Sequence, residues 1–273
     1  MASPPRPRRL DLELLARGLA ESRSRAQALV AAGQVRVGGA PASSPARLVR
    51  RGEAVVVEGG PPRFVSRGGT KLDGALDHLG VDVSGRRALD AGASTGGFVD
   101  CLLQRGAAGV IALDVGRGLL HERLRSDPRV TVVERTNVRT ATVDVVGGDP
   151  VEVVTADLSF ISLTVVAPVL AGPLARPGAD LVVLVKPQFE AGRAEASRGR
   201  GVIRDPAVWR RCLEQVGSAF GRAGGAIMGA VPSPITGSDG NVEFFLHVKA
   251  HTEARGPADL TPVLDQAVSA VAR

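Results

Sequence analysis

The sequence of 273 residues predicts an α/β protein, in which a small basic α+β domain precedes an open, seven-stranded sheet. Three observations favour this class. Seven apolar runs of strand length follow residue 85, and helical patterns separate most of them. Near-continuous apolar strands with helical crossovers are typical of a parallel sheet that is covered on both faces. Paired glycines and prolines between Val57 and Gly69 indicate a domain boundary.

The predicted strands define a Rossmann-like sheet, whose ligands bind beyond the carboxyl ends of the strands. We expect the basic domain over residues 1–59, a linker over 60–66 and the α/β domain over 67–273. Two short helices and a small β hairpin are predicted in the basic domain, with Ser22 as the N-cap of the second helix and Gly33 at its end. The strands are predicted at 86–93, 109–115, 129–135, 151–158, 179–186, 224–231 and 241–249.

The net charge of +6 is unevenly distributed along the chain. Residues 1–66 contain eleven arginines and five acidic residues, which accounts for all of the excess, whereas the remainder is neutral. A basic module on a neutral body indicates an appendage that binds a polyanion, with nucleic acid favoured over a merely soluble basic surface. Aromatic residues make up only 3%, which argues against a base-stacking surface of the single-strand-binding kind.

Cysteine usage and the N-terminus bear on the compartment. Cys101 and Cys212 lie in helical patterns, form no metal-ligand spacing and are typical of buried thiols in a reducing compartment. The first twenty residues have no apolar signal region, and no segment has the roughly 18 apolar residues of a membrane span. We therefore expect a cytoplasmic protein without a metal site or a membrane partner.

A glycine-rich loop follows the first predicted strand in "LDAGASTGGF", and Asp114 ends the second strand. The loop lacks the glycine spacing of a dinucleotide site, whereas a strand-end carboxylate can accept the hydroxyls of a ribose. S-adenosylmethionine is therefore the favoured cofactor, because it has a ribose and a cationic sulfonium but no phosphate. A structural glycine turn beside a solvated aspartate is the alternative. The candidate cofactor residues are Asp90, Gly92, Ser94, Thr95, Gly96, Gly97, Phe98, Asp114, Val115 and Asn137.

Four charged residues are predicted at or near the carboxyl edge of this sheet. Asp157 and Lys186 end two apolar strands, Glu243 lies in the last predicted strand, and Lys71 begins a helix before the sheet. Two structural salt bridges are the alternative interpretation. A buried lysine must be paired or lose its charge, so burial of these groups favours a functional site.

The segment from residue 8 to 58 resembles the alpha-L RNA-binding domain, the fold of ribosomal protein S-four. The resemblance rests on the Ser22-Arg23 pair, the turn at Gly33 and the strand "VRVGG". It implies that the second helix and the following loop bind structured RNA. The candidate RNA-binding residues are Arg8, Arg9, Arg17, Ser22, Arg23, Arg25, Arg36 and Arg67.

The catalytic part resembles the FtsJ-type ribose 2′-O-methyltransferases, since Lys71, Asp157, Lys186 and Glu243 match the order and contexts of their Lys-Asp-Lys-Glu tetrad. The motifs "VSRGGTKL", "ERTN", "ADLSFISL", "LVKPQFE" and "GNVEFFL" make the whole chain similar to the TlyA family. This resemblance implies S-adenosylmethionine-dependent 2′-O-methylation of cytidine in 16S and 23S rRNA of the two ribosomal subunits. It also implies an effect on sensitivity to capreomycin-type antibiotics.

Several points stay open at the level of sequence. Lys186 would contact the ribose 2′-oxygen either as a base or as a charged stabiliser. Phe64 stands where some family members have tryptophan in a linker that couples RNA binding to cofactor binding. The arginine-rich segment 190–206 is interpreted as a loop beside RNA. A non-catalytic ribosome-assembly factor and, more remotely, a secreted hemolysin are the competing functions, and the oligomeric state is not predicted.

Overall fold

The computed structural model describes residues 7–20, 22–59, 62–192, 195, 201–237, 240–251 and 260–271. The chain divides into two compact units, Met1–Arg63 and Phe64–Arg273. Residues 1–6 of the predicted RNA-binding domain, 60–61 of the predicted linker, and 193–194 and 196–200 of the arginine-rich segment 190–206 lie outside the described residues.

The smaller unit contains two helices, α1 (Leu10–Ala16) and α2 (Arg23–Ala31), and two small antiparallel sheets. The predicted N-cap is confirmed, since the Ser22 hydroxyl accepts a hydrogen bond from the Arg25 N–H at 3.1 Å. Gly33 follows α2 with φ +69°, a conformation that glycine adopts without strain. Strands β1 (Arg8–Arg9) and β4 (Leu48–Val49) pair, and β2 (Val35–Val37) lies between β3 (Ala40–Pro41) and β5 (Val55–Val57).

The larger unit is built on one seven-stranded sheet, and all seven predicted strands are present. The spatial order is β11-β12-β10-β9-β6-β7-β8. The expectation of a parallel sheet fails for the last strand, because β12 runs antiparallel between β10 and β11. The strands are β6 (Arg87–Ala91), β7 (Gly109–Leu113), β8 (Val130–Val133), β9 (Val151–Ala156), β10 (Ala175–Val185), β11 (Gly225–Pro232) and β12 (Phe244–Ala250).

Helices cover both faces of this sheet, as its apolar strands require. Along β10, Val183 belongs to one core cluster, whereas its neighbours Val182 and Leu184 belong to the other. Neighbouring residues of the strand therefore supply the two cores in turn. The helices are α3 (Arg67–Leu79), α4 (Gly97–Gln104), α5 (Glu122–Arg125), α6 (Leu163–Leu170), α7 (Pro187–Glu190), α8 (Pro206–Arg222) and α9 (Thr261–Ser269), with two 3₁₀ turns at Val138–Thr140 and Val143–Val146.

The strand order reverses beside β6, which lies between β7 and β9. In open α/β sheets this switch point opens a crevice at the carboxyl ends of the strands. The glycine-rich loop leaves β6 at that point, and Asp157 leaves β9 next to it. The topology thus places the two features that the sequence singled out at one edge of the sheet.

Candidate active site

Three neighbouring strands deliver acidic and basic side chains to one edge of the sheet. Asp157 directly follows β9 and Lys186 directly follows β10, the next strand. Glu243 directly precedes β12, which begins at Phe244 rather than at 241 as the sequence pattern indicated. Because β12 is antiparallel to β10, its amino end lies at the same edge as the carboxyl end of β10. Adjacent strand ends are about 5 Å apart.

Lys186 is held by two residues of the segment after β9. Its Nζ atom lies 2.5 Å from Asp157 Oδ1, an ion pair whose angles differ from those of a hydrogen bond. The same amine donates a hydrogen bond to the Ser159 hydroxyl at 3.2 Å. The strand ends here because Pro187 occupies the first turn of α7, where its missing N–H costs nothing. The amine is therefore fixed at the carboxyl edge of the sheet.

Lys71 forms the second ion pair, with Glu243, and this pair is buried. Lys71 is 8% exposed and Glu243 3%. The Lys71 ammonium both pairs with and donates a hydrogen bond to Glu243 Oε2. Gly237 packs against this carboxylate, since a Cβ atom at position 237 would lie 2.6 Å from Glu243 Oε1. Burial without a partner would strongly disfavour either charge, so each residue depends on the other.

The glycine loop after β6 makes close backbone contacts that a side chain would prevent. Gly92 has φ +86°, and a Cβ atom there would lie 2.6 Å from the carbonyl oxygen of Asp157. Gly96 has φ +94°, and its Cβ atom would meet the side chains of Leu120 and Leu124. Glycine at these two positions thus lets the loop pack between the end of β9 and the segment around α5.

Asp114 directly follows β7, on the other side of the glycine loop from β9, and fixes the conformation of that loop. Its two carboxylate oxygens accept hydrogen bonds from the N–H groups of Ser94 at 2.8 Å and Gly116 at 2.7 Å. Ser94 has φ +47°, a conformation that few non-glycine residues adopt. The next residue after Asp114, Val115, has 71% of its surface exposed. A carboxylate and an exposed apolar side chain are thus presented together beside the loop.

Asp90, on β6, is a buried carboxyl group with one oxygen unsatisfied. Its Oδ1 accepts a hydrogen bond from the Thr155 hydroxyl at 2.9 Å, whereas Oδ2 has no hydrogen-bond partner within the described part of the chain. The pKa of Asp90 is raised to about 8, chiefly by burial and also by the nearby carboxylates of Asp157 and Asp114, whereas the Thr155 hydrogen bond opposes the rise. At neutral pH the folded protein therefore holds this group mostly as the neutral acid.

Several predicted cofactor residues have structural contacts in the protein. Phe98 is 3% exposed, and its ring packs 5.9 Å from that of Phe245 in the core. Gly97 is buried under Ser66, whose hydroxyl would lie 2.2 Å from a Cβ atom at position 97. The Asn137 side chain caps the first 3₁₀ turn by accepting from the Arg139 N–H at 3.0 Å. Thr95 is exposed, and its carbonyl accepts from the His121 N–H.

The segment around Phe64 packs directly on the elements that carry the glycine loop. Phe64 is 5% exposed, and a Cβ atom at Gly69 would lie 2.3 Å from its ring. The Val65 N–H donates to Asp100 Oδ2 on α4 at 2.8 Å, and the same oxygen accepts from Arg123 at 2.7 Å. Phe64 is therefore a core residue of the larger unit. It lies two residues before Ser66, which packs against Gly97 of the glycine loop.

Most of the candidate RNA-binding residues of the smaller unit have acidic or backbone partners. Arg8 and Arg17 pair with Glu13, at 3.5 and 2.8 Å, and Arg36 pairs with Glu58. Ser22 serves as a helix cap, and Arg25 lies in the same helix. Arg9 and Arg23 share one partner, Asp11. In the larger unit, Arg67 donates to the carbonyl of Thr236.

Sequence reasoning missed two aromatic residues beside Lys186. Phe160 is 92% exposed with φ +64°, an unusual conformation for a bulky side chain. Its ring lies 5.2 Å from that of Phe189, and Lys186 Nζ lies 5.8 Å from the centre of the Phe189 ring. The signal in the sequence was the phenylalanine three residues after Asp157 in a chain with few aromatic residues. Its exposure could not be read from that spacing.

The described residues contain no group of three or more histidine, cysteine or acidic side chains that could hold a metal ion. Among the same residues, no helix is both long enough and apolar enough to cross a membrane.

Two parts of the chain match families of known proteins. A model of the FtsJ-like methyltransferase family matches residues 64–250, and a model of the S4 domain matches residues 8–55. The larger unit is thus a methyltransferase domain of the FtsJ-like class.

The relatives define the family more narrowly. The chain is 49% identical to the 16S/23S rRNA (cytidine-2′-O)-methyltransferase TlyA of Mycobacterium tuberculosis, over 90% of this chain and 91% of the relative. It is 38% identical to Hemolysin A of Brachyspira hyodysenteriae, over 88% and 98%. A solved structure from Streptococcus thermophilus is similar with a TM-score of 0.75 and 36% identity, over 98% and 97%. The chain belongs to the TlyA family.

Proposed function

We propose that this protein transfers a methyl group from S-adenosylmethionine to the 2′-oxygen of cytidine ribose in 16S and 23S rRNA of the small and large ribosomal subunits. The observation that carries the proposal is the pair of ion pairs at the sheet edge, Lys186 with Asp157 and Lys71 with Glu243, next to the glycine loop. The M. tuberculosis relative has this activity by name.

The residues around the glycine loop suit S-adenosylmethionine by their chemistry. The carboxylate of Asp114, and the buried unpartnered oxygen of Asp90 when that group is ionised, favour a cationic ligand with hydroxyl groups. Val115 offers an exposed apolar surface for the adenine. The loop "DAGASTGGF" contains no lysine or arginine, so a phosphate would find no charged partner in it. When bound, S-adenosylmethionine supplies an electrophilic methyl group on a sulfonium.

Lys186 is the group that we expect to contact the ribose 2′-oxygen. Of the two lysines, it directly follows a strand at the carboxyl edge of the sheet and has the more exposed counter-ion, since the side chain of Asp157 is 24% exposed and that of Glu243 3%. Ser159 accepts one N–H of the amine, whereas the contact with Asp157 is an ion pair without hydrogen-bond angles, so the amine keeps a donor for the substrate. Positioning the oxygen and controlling its proton are the main tasks, because the methyl donor is already activated.

Phe160 is suited to hold the base of the target nucleotide. Its ring is almost fully exposed and its backbone is strained, so it is held out from the protein beside Lys186. Stacking on an aromatic ring contributes about 1–3 kcal/mol per base. We expect Phe160→Ala to raise KM for RNA about tenfold or more and to leave the affinity for S-adenosylmethionine unchanged.

The smaller unit provides the RNA-binding part of this proposal. Its S4 match and its excess of arginine support binding to structured rRNA. An enzyme that modifies ribosomal subunits would act in the cytoplasm, and we propose this location for the protein. If methylation at these sites shapes a drug-binding region, loss of the protein would change sensitivity to capreomycin-type antibiotics, which growth assays of a deletion strain would measure.

The test is transfer of labelled methyl groups to isolated small and large subunits, followed by mapping of the modified nucleotide. We expect label on cytidine 2′-oxygens in both subunits. Lys186→Ala should bind S-adenosylmethionine with wild-type affinity and lose transfer, whereas transfer near the wild-type rate in that variant would refute the role of Lys186. Label on one subunit alone would restrict the substrate.

Two alternative functions predict different results. The first is tested by the same methyl-transfer experiment and the second by a separate lysis assay. No transfer to either subunit, together with tight binding to one of them, would favour a non-catalytic assembly factor. The second alternative function is that of a hemolysin, which is suggested by the name of the relative from B. hyodysenteriae, Hemolysin A. Lysis of erythrocytes by the purified protein carrying Asp114→Ala would support a hemolysin that acts independently of the cofactor site.

A further inference from the structure

A fully buried carboxylate in the smaller unit holds two exposed arginines. The side chain of Asp11 has no exposed surface, whereas those of Arg9 and Arg23 are 39% and 55% exposed. Asp11 lies in the first turn of α1, and Arg23 is the first residue of α2. One carboxylate therefore joins the start of both helices to β1.

The hydrogen bonds of Asp11 use both of its oxygens. Arg9 donates from Nε at 3.1 Å and from Nη2 at 2.9 Å, which is the two-pronged geometry of a strong arginine–carboxylate pair. Arg23 donates from Nε at 3.0 Å, and Gln27 and the Leu12 N–H complete the set at 3.3 and 3.0 Å. The Arg9 hydrogen bond is the main reason why the pKa of Asp11 lies well below its usual range.

These contacts leave most of the donors of the two guanidinium groups facing outward. In the described part of this unit, Nη1 of Arg9 and both Nη atoms of Arg23 have no hydrogen bond to the protein. A guanidinium that is held through Nε keeps its remaining fork free for a phosphate, which accepts such a fork in a bidentate manner. The arrangement differs from that of Arg36, whose Nε and Nη1 both have partners near the domain surface.

We infer that Asp11 is a positioning residue for RNA binding, which preorganises Arg9 and Arg23 as a rigid pair of phosphate ligands. This inference rests on the proposed function. Without Asp11 each arginine would have to be ordered on binding, at the cost of its rotamer freedom. The carboxylate cancels one of the two positive charges, so it can favour RNA binding only through this ordering.

The opposing effects of charge and order give the test a clear sign. Asp11→Asn raises the local net charge from +1 to +2, so charge alone predicts tighter binding. Preorganisation predicts the reverse, because the amide group of asparagine offers donors where the arginines need an acceptor. We expect the Kd for isolated ribosomal subunits to rise about tenfold. The slope of log Kd against log salt should stay within experimental error, since the phosphate contacts in the complex are unchanged.

A second variant avoids dependence on the folding of Asp11→Asn. Arg23→Lys keeps the charge but removes the planar fork, so an amine that is held by Asp11 cannot present the parallel pair of donors that a phosphate accepts from arginine. We expect a similar loss of affinity. Arg51→Lys is the matched control, because Arg51 is exposed and has no ion pair among the described residues; it should bind within about twofold of wild type. Thermal unfolding of each variant shows whether it is folded at the assay temperature.

The outcomes separate this inference from the proposed function. If the wild-type protein neither binds nor methylates either subunit, the proposed function fails. If the wild type binds and methylates, but folded Asp11→Asn and Arg23→Lys bind as tightly as it does or more tightly, the positioning role of Asp11 is refuted. In both variants the loss should also appear as a raised KM for the subunits in methyl transfer.

Discussion

Replacement of Asp90 by asparagine should change how stability depends on pH. In the folded protein the pKa of Asp90 is about 8, chiefly because of burial, whereas an unfolded chain has an aspartate pKa of about 3.9. Between these values the folded state binds a proton that the unfolded state has released. Stability is therefore lost as pH rises from about 4 to about 8. Each pH unit corresponds to about 1.4 kcal/mol, and the whole interval to something on the order of 5 kcal/mol.

The asparagine of the Asp90→Asn variant would resemble the neutral acid in shape and would carry no charge at any pH. The difference in unfolding free energy, Asp90→Asn minus wild type, should therefore increase by about 1.4 kcal/mol per pH unit between pH 5 and 8 and level off above. A constant offset from the new amide donors does not affect this slope. Other titrating groups are common to both proteins and cancel in the difference.

Urea unfolding at four pH values measures this difference. The fluorescence of Trp209 is a suitable probe, because it is the single tryptophan of the chain and is buried against Phe244 in the larger unit. Thr155→Val is a second check, since loss of its hydroxyl removes the hydrogen bond that lowers the Asp90 pKa and should extend the loss of stability to higher pH. A difference between Asp90→Asn and wild type that stays constant from pH 5 to 8 would show that Asp90 is ionised in the folded protein.

Three further results are expected. If S-adenosylmethionine binds beside Asp90, its affinity for the wild-type protein should rise up to about tenfold per pH unit between pH 6 and 8, whereas its affinity for Asp90→Asn should stay constant. Titration calorimetry measures both affinities, and equal pH profiles for the two proteins would contradict this prediction. Gly69→Ala should lower the unfolding free energy by about 1–3 kcal/mol, because the new methyl group would clash with Phe64. In the background of Phe64→Ala the same change should cost less. Additive effects of the two substitutions in a double-mutant cycle would argue against the contact. Glu243→Gln should lower the unfolding free energy by about 3–5 kcal/mol, because it isolates the buried charge of Lys71. The double variant Lys71→Met, Glu243→Leu should have nearly the wild-type unfolding free energy in urea and no activity. A single Glu243→Gln variant as stable as wild type would disprove the dependence of Lys71 on Glu243.

The features that could be predicted from the sequence are those with a local physical cause. The apolar runs indicated the seven strands, and Pro187 after Lys186 indicated where β10 ends. Ser22 and Gly33 indicated the limits of α2, because a hydroxyl N-cap and a left-handed glycine are local requirements. Recognition of the tetrad needed only residue type and order along the chain.

The features that the sequence did not reveal depend on contacts between distant segments. The antiparallel direction of β12 is set by its pairing with β10 and β11, and it brings the amino end of β12, with Glu243 before it, to the carboxyl edge of the other strands. The choice of partners could not be derived either, since Lys71 and Glu243 are 172 residues apart. Asp11 was overlooked because an acidic residue in the first turn of a helix is ordinary, and its burial arises only when β1 and α2 pack against α1.

The division of four charges into two unlike pairs explains why the chain carries both lysines. The Lys71–Glu243 pair is almost completely buried and joins α3 to the start of β12, so its main effect is to fix the position of these elements. The two lysine side chains are equally buried, but in the second pair the side chain of Asp157 is 24% exposed, so Lys186 has a partly hydrated partner. A lysine that must contact a substrate needs a counter-ion that does not enclose it. The two pairs are together neutral, so under the proposed function the carboxylate of Asp114, joined by Asp90 once it is ionised, would supply the negative charge that attracts a cationic methyl donor to the same edge.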